Sequence, residues 1–166
     1  MTQKHTAKEL ITKLGLTRIP EEGGFFRETY RSLQETQTPR GVRACGTAIY
    51  VLITPDEFST LHRVSSDEIF HFYAGSPVEM FQLFEDGLSQ KITLGSDVFT
   101  GQFPQVVVPA GVWQGTRLQD GGAWALLGCT VSPGFEFADF ELADRARLVQ
   151  RFPALAPDIS RFCPTH

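Results

Sequence analysis

His62 and Glu68 are the residues of this chain whose types and spacing best suit proton transfer. They sit on two β-favouring segments, Thr60-Leu61-His62-Arg63-Val64 and Glu68-Ile69-Phe70-His71-Phe72-Tyr73, joined by the polar turn Ser65-Ser66-Asp67. Side chains alternate along a strand, so Thr60, His62 and Val64 share one face while Leu61 and Arg63 share the other. With Glu68 on the His62 side, Phe70 and Phe72 join it, and His71 faces away with Ile69 and Tyr73. One imidazole and one carboxyl on an otherwise apolar wall is the composition of a small-ligand pocket. An unperturbed imidazole titrates near pH ~6.5, so it can serve as a general base, or as a single metal ligand, with little tuning. A carboxyl in such an interior needs a cation, a histidine or a ligand donor beside it. The competing assignments are a core histidine satisfied by hydrogen bonds, and a structural carboxylate paired with Arg63 or Arg27.

Other side chains could contact the same ligand. Arg27 and Glu28 suit an anionic group, because the planar guanidinium donates two parallel hydrogen bonds to phosphate; otherwise they belong to a surface strand of alternating charge. Trp113, Tyr50, Phe70 and Phe72 could stack on a base or sugar, or simply fill a β core. The Phe-rich segment 135–140 reads as packing of a C-terminal arm or a subunit contact. His71 reads as structural, as do Cys45, Cys129 and Cys163, since no Cys-His or Ser-His-Asp arrangement is visible.

The elements that must position these residues are mostly strands. Thr6-Ala7-Lys8-Glu9 has the form of a capping box, followed by Leu10, Ile11 and Leu14 at helical spacing and Gly15 as a stop, which predicts a helix over about 6–15. Strands are predicted at 25–31, 47–53, 59–64, 68–73, 77–84, 89–94, 105–108, 111–118 and 123–131, the pattern of an all-β sandwich or barrel. Glu85-Asp86-Gly87 and Gln119-Asp120-Gly121-Gly122 read as hairpin turns with local antiparallel pairing. Beyond Ser132-Pro133-Gly134 the periodicity becomes helical, with Leu142, Ala146 and Val149 on one face and Pro153 as the end. The expected organisation is one domain over 1–166: the N-terminal helix, a β-barrel over about 25–131, and a C-terminal arm and helix over 132–166.

Composition narrows the function. The chain has 166 residues, 42% hydrophobic, enough for one sizeable core. Net charge is −4, with 15 basic against 19 acidic residues, so no basic stripe serves a nucleic-acid polymer or an acidic membrane. Three cysteines without C-x-x-C spacing, and a start with no apolar signal region, predict a cytoplasmic location. Of four histidines, His5 and His166 fall in expected tails, so the body cannot supply a three-histidine metal centre.

At this point the residues resemble a known family. His62-x-Val64-x3-Glu68-x6-Gly75 has the spacing of the first cupin motif, with Val64 in place of the second histidine and Asp56 where the motif starts with glycine. Pro109-x-Gly111-x2-Gln114 resembles the second motif, with Gln114 in place of its metal-binding histidine. Together with 23–30, 61–73, 107–114 and 133–141, these segments resemble, in order, the uncharacterised small cupins classed as a domain of unknown function. The resemblance implies an all-β cupin jelly-roll, barrel or sandwich, with short terminal helices, and a homodimer. Gly24-Phe25-Phe26-Arg27-Glu28 is also similar to the G-F-F-x-E segment of the dTDP-keto-sugar epimerases, metal-independent cupins in which a barrel histidine abstracts a proton beside a carbonyl; Leu61-His62 resembles their L-H segment. No counterpart of their acid tyrosine, or of the carboxylate that orients their histidine, is visible.

The expectation that follows is a small-molecule-binding cupin, an isomerase or epimerase-like enzyme needing no cofactor, on a sugar nucleotide or other small polar ligand. His62 would be the base, Glu68 its orienting or acid partner, Gln114 a carbonyl or hydroxyl contact and Arg27 a phosphate clamp, with Glu28, Tyr50, Phe70 and Trp113 around the ligand. Two alternatives stand: a metal-dependent enzyme with a reduced ligand set of His62, Glu68 and Gln114 holding a divalent ion weakly, and a non-catalytic binding or storage protein.

Overall fold

The computed structural model describes residues 5–163; the expected tail residue His166 and the start at 1–4 lie outside them. Helix α1, Ala7–Leu14, begins at the expected capping box: the Thr6 hydroxyl accepts the Glu9 N–H at 3.2 Å and the Glu9 carboxylate accepts the Thr6 N–H at 2.7 Å. Gly15 ends it in the left-handed conformation.

Thirteen strands follow among the described residues: β1 (Thr17–Arg18), β2 (Phe25–Arg31), β3 (Glu35–Thr38), β4 (Gly41–Ala44), β5 (Thr47–Ile53), β6 (Ser59–Val64), β7 (Asp67–Gly75), β8 (Val78–Leu83), β9 (Ser89–Leu94), β10 (Gln105–Val108), β11 (Trp113–Leu118), β12 (Ala125–Ser132) and β13 (Phe140–Leu142). The nine expected strands are present, with ends moved by at most two residues. One antiparallel sheet has the order β1-β2-β5-β12-β7-β10, and a second the order β13-β6-β11-β8-β9. They face each other as a sandwich, and between them lies the main core, which includes Val51, Ile53, Phe70, Met80, Val108 and Leu127.

Both outer faces are partly covered. Helix α1 lies on the first sheet, where Leu16, Leu52 and Trp124 are buried with Tyr50 and Phe25 packed around them. Helices α2 (Arg145–Arg151) and α3 (Ala156–Phe162) cover the second, burying Leu61, Phe81, Leu83 and Trp113 against Leu148, Ile159 and Phe162. No helix among the described residues is long and apolar enough to cross a membrane.

Three expectations are corrected. The turn at Gln119-Asp120-Gly121-Gly122 does not close a hairpin, because β11 pairs with β6 and β8 while β12 pairs with β5 and β7, so the chain crosses there between sheets. Leu142 is not helical: it pairs with His62 on the edge strand β13, and α2 starts only after Asp144, whose carboxylate accepts the Arg147 N–H at 3.1 Å. A further helix, α3, follows Pro153, with proline tolerated in its first turn where amide hydrogens have no helical partner. The exposed β3–β4 hairpin carries no core pattern and is held by tertiary charge pairing, Arg40 and Arg43 both binding the buried Asp139 carboxylate at 3.0 and 2.8 Å.

Candidate functional site

A cavity of about 130 Å³ opens between the two sheets. That is roughly ten times the ~10–15 Å³ one water needs, which suits a small ligand. Its apolar wall includes Ile49, Val51, Ile53, Val64, Phe70 and Leu127; its polar groups include Glu22, Glu28, Arg31, His62, Glu68 and Glu136, with the Thr47 and Ser59 hydroxyls. His62, on β6 of the second sheet, and Glu68, on β7 of the first, thus face the same space from opposite sides, each turned inward by strand alternation, with Phe70 and Glu28 on the Glu68 sheet.

His62 is held at both ring nitrogens. Nδ1 lies 2.8 Å from the Thr60 carbonyl, which can only accept, so Nδ1 carries a proton. Nε2 lies 2.9 Å from the Gln114 amide nitrogen, whose N–H donates to the lone pair of the neutral ring. His62 and Gln114 stand directly opposite on β6 and β11, and the Phe140 ring lies 5.1 Å from the imidazole.

Glu68 is 5% exposed. Its oxygens receive only a 3.4 Å contact from the Gln114 amide and a 3.8 Å contact from the Cys129 thiol. Burial pushes its pKa up to about 7; positive charge on His62, when the ring is protonated, and the two contacts oppose the rise, and the negative charge of Glu22 adds to it. The competing assignment of Glu68 to an arginine fails. Arg63 binds Glu141 and lies over Trp113, and Arg27 donates to the Leu14 carbonyl at 2.9 Å. Burial likewise raises the Cys129 thiol, which keeps it protonated and inert as a nucleophile.

Arg27, Tyr50, Trp113 and Gln114, expected around the ligand, do not line the cavity, and Gln114 meets it only through His62 and Glu68. On β2 the inward residues are Phe26 and Glu28, so Arg27 points to α1. On β5, Ile49, Val51 and Ile53 point in, and Tyr50 packs with the α1 cluster. On β11, Gln114 points toward His62, and Trp113 packs beneath α2 and α3. Phe72 packs against the core without lining the cavity, next to a register shift at Leu126/Leu127.

Sequence reasoning missed Glu22 and Arg31. Glu22 comes from the loop before β2, accepts the Ser59 hydroxyl at 2.6 Å and stands 3.8 Å from His62 Nδ1. Gly23 lets the loop approach so closely: its φ is +93°, and an added Cβ would lie 2.5 Å from the Phe58 carbonyl oxygen. The Gly23-Gly24 pair was the available signal. Arg31 reaches the cavity because the β2–β5 register shifts between Glu28 and Tyr30, which turns the following residues over. Without that bulge Arg31 would share the outward face of Arg27. Phe135, Glu136 and Phe137 also line the cavity, so the C-terminal arm forms part of its wall as well as packing.

The cupin resemblance raises the question of a metal, and the donors give the answer. Val64 offers none, and Gln114 turns its N–H toward the very nitrogen of His62 that would have to face an ion. Among the described residues no group of three or more His, Cys, Asp or Glu could hold a metal ion. The residues present do not fit the three-histidine, one-carboxylate centre of the family motif.

Comparison with known proteins places this geometry in a family. Over 132 residues the chain is 29% identical to an uncharacterised protein of Saccharomyces cerevisiae, an overlap covering 71% of this chain and 66% of the yeast protein, just under two thirds of its length. A hypothetical protein from Leishmania major superposes with a TM-score of 0.90 at 31% identity, covering 96% of this chain and 99% of that one. A protein from Shewanella oneidensis gives 0.89 at 32% identity, with 98% and 99% covered. An oxalate decarboxylase of Bacillus subtilis, at 14% identity and a TM-score of 0.57 over 89% of this chain and 37% of that one, shares the fold alone. Residues 8–143 match the family model described as Cupin superfamily (DUF985), and the chain belongs to that family.

Proposed function

We propose that this cupin binds a small organic molecule between its sheets and performs metal-independent proton transfer on it, as an isomerase or epimerase-like enzyme. The observation that carries this reading is that a neutral imidazole and a buried carboxyl whose pKa is about 7 line the same cavity, one from each sheet. Once the Gln114 N–H is displaced, His62 Nε2 can take a proton from a carbon beside a carbonyl, and protonated Glu68 can return one, so that the hydrogen count balances. Glu22, by Nδ1, would steady the imidazolium that forms.

Hydrogen–deuterium exchange in D2O tests the reading directly. Keto acids, keto sugars and sugar nucleotides that raise the melting temperature are followed by proton NMR. The expected result is loss of a signal beside a carbonyl, abolished in His62→Gln and Glu68→Gln while both variants stay folded. Binding without exchange in any ligand would overturn catalysis. It would favour the second reading, a non-catalytic binding protein, which has its own support in the Gln114 N–H already covering the basic nitrogen of His62. The metal-dependent reading would require an ion that survives mild chelation at one per chain. A homodimer, implied by the family resemblance, is checked by sedimentation.

A further inference from the structure

We propose that the cavity selects a small organic cation, an amine with an apolar body, over a phosphorylated or carboxylated ligand. This rests on the reading of the cavity as a small-molecule site and names the ligand class of that site.

The hydrogen-bonding groups around the space are unevenly matched. Its cationic side chain, Arg31, is engaged at all three nitrogens: Nε and Nη2 donate to the Glu28 carboxylate at 3.1 and 2.9 Å, Nη1 donates to Glu136 at 2.8 Å, and Nη2 also reaches the Phe135 carbonyl at 3.1 Å. The His62 Nδ1 proton is on the Thr60 carbonyl. An entering phosphate or carboxylate would therefore have to break an existing ion pair to find a strong donor. It would also bring a further negative charge among Glu22, Glu28, Glu68 and Glu136.

Acceptors, in contrast, are in surplus. Gln114 does not itself line the cavity; fully buried, it spends its N–H on the lining groups His62 and Glu68, and its Oε1 has no hydrogen-bond partner. Glu68 has only its two long contacts, and Glu22 takes the Ser59 hydroxyl on Oε1. A buried carboxylate without a counter-charge is costly, and an ammonium group supplies the missing charge together with up to three donors. The remaining surface suits the rest of such a molecule. Ile49, Val51 and Leu127 offer aliphatic contact, while the Phe135 and Phe137 rings, edge to face at 5.2 Å, offer faces that attract a cation on its way in.

Matched ligands on the full-length protein test the proposal by calorimetric titration at pH 7.5: benzylamine, benzyl alcohol, benzoate and glucose 1-phosphate. The expected result is saturable benzylamine binding at least tenfold tighter than benzyl alcohol, with none for the two anions. In Glu68→Gln the preference for amine over alcohol should fall at least tenfold; Glu22→Gln gives an independent reading should the first variant fail to fold. Binding of benzoate or glucose 1-phosphate in preference to the amine would overturn the cationic class while leaving the small-molecule site intact. So would equal binding of amine and alcohol, or a preference that survives both substitutions. Silence from all four ligands would count against both the ligand class and the site.

Discussion

At Glu68 the folded protein holds a proton that the unfolded chain releases. The carboxyl is raised from its ordinary 4.5 to about 7, so folding takes up a proton in that window and the contribution of this group to stability falls as pH rises through it. The contribution is complete below pH ~4.5 and lost above ~7, a difference of up to ~3 kcal/mol. Glu68→Gln, which stays neutral, should therefore unfold at a higher temperature than wild type at pH 8 and at nearly the same temperature at pH 4.5. Thermal unfolding at both values checks this, and a less stable variant at pH 8 would show that the ionised form is well solvated. Ligand displacement of Gln114 belongs to the same scale. Its N–H masks the His62 lone pair, so Gln114→Ala should speed deuterium exchange into a bound ligand severalfold if unmasking limits the reaction, as proton NMR would show.

Strands and loops decide which way each candidate side chain faces. Arg27 and Glu28 are adjacent on one strand, so only one of them can look into the sandwich, and it is Glu28. The bulge in β2 then brings Arg31 inward, a change of face that no run of alternating residues announces. The loop before β2 is as demanding. At Gly23 a methyl group would meet the Phe58 backbone in a left-handed conformation, whereas Gly121, with φ of +81°, has nothing within 4 Å of the same position. Gly121→Ala should cost only the backbone conformation, roughly 1–3 kcal/mol. Gly23→Ala should cost distinctly more and weaken ligand binding by shifting Glu22, measured by denaturant unfolding and titration. Equal costs at the two positions would mean that the loop relaxes away from Phe58.

On the scale of the whole molecule, stability depends on elements outside the matched family segment. Residues 8–143 carry the family match, yet Leu148, Ile159 and Phe162, beyond it, are 6%, 0% and 0% exposed against the second sheet. Burying each is worth ~1.5–3 kcal/mol, so their sum is comparable with the ~5–15 kcal/mol that holds a typical domain together. A chain ended after Ala143 should lose its cooperative unfolding transition and precipitate through the uncovered Leu61, Phe81 and Trp113, which circular dichroism and soluble yield would report. A soluble fragment melting within a few degrees of the full chain would refute this.

The sequence alone determined the strands to within two residues, the capped first helix and the inward turn of His62 and of Glu68 along their own strands, because alternation and turn chemistry act between near neighbours; the packing of the two sheets brought the pair face to face. Motif spacing also linked Gln114 to them across the chain. Which face of β5 or β11 turns inward between the sheets was decided only by the tertiary structure. Helices cover the outer surfaces, so Tyr50 and Trp113 find apolar surroundings on the outside just as Ile49 and Val51 do inside, and an apolar pattern cannot separate two covered faces. The same holds for charge: Glu22 and Arg31 enter the site through a glycine loop and a bulge, and Arg31 arrives already paired with Glu28 and Glu136. The Glu136 half of that pairing joins side chains 105 residues apart in sequence, set by the packing of the C-terminal arm rather than by any local pattern.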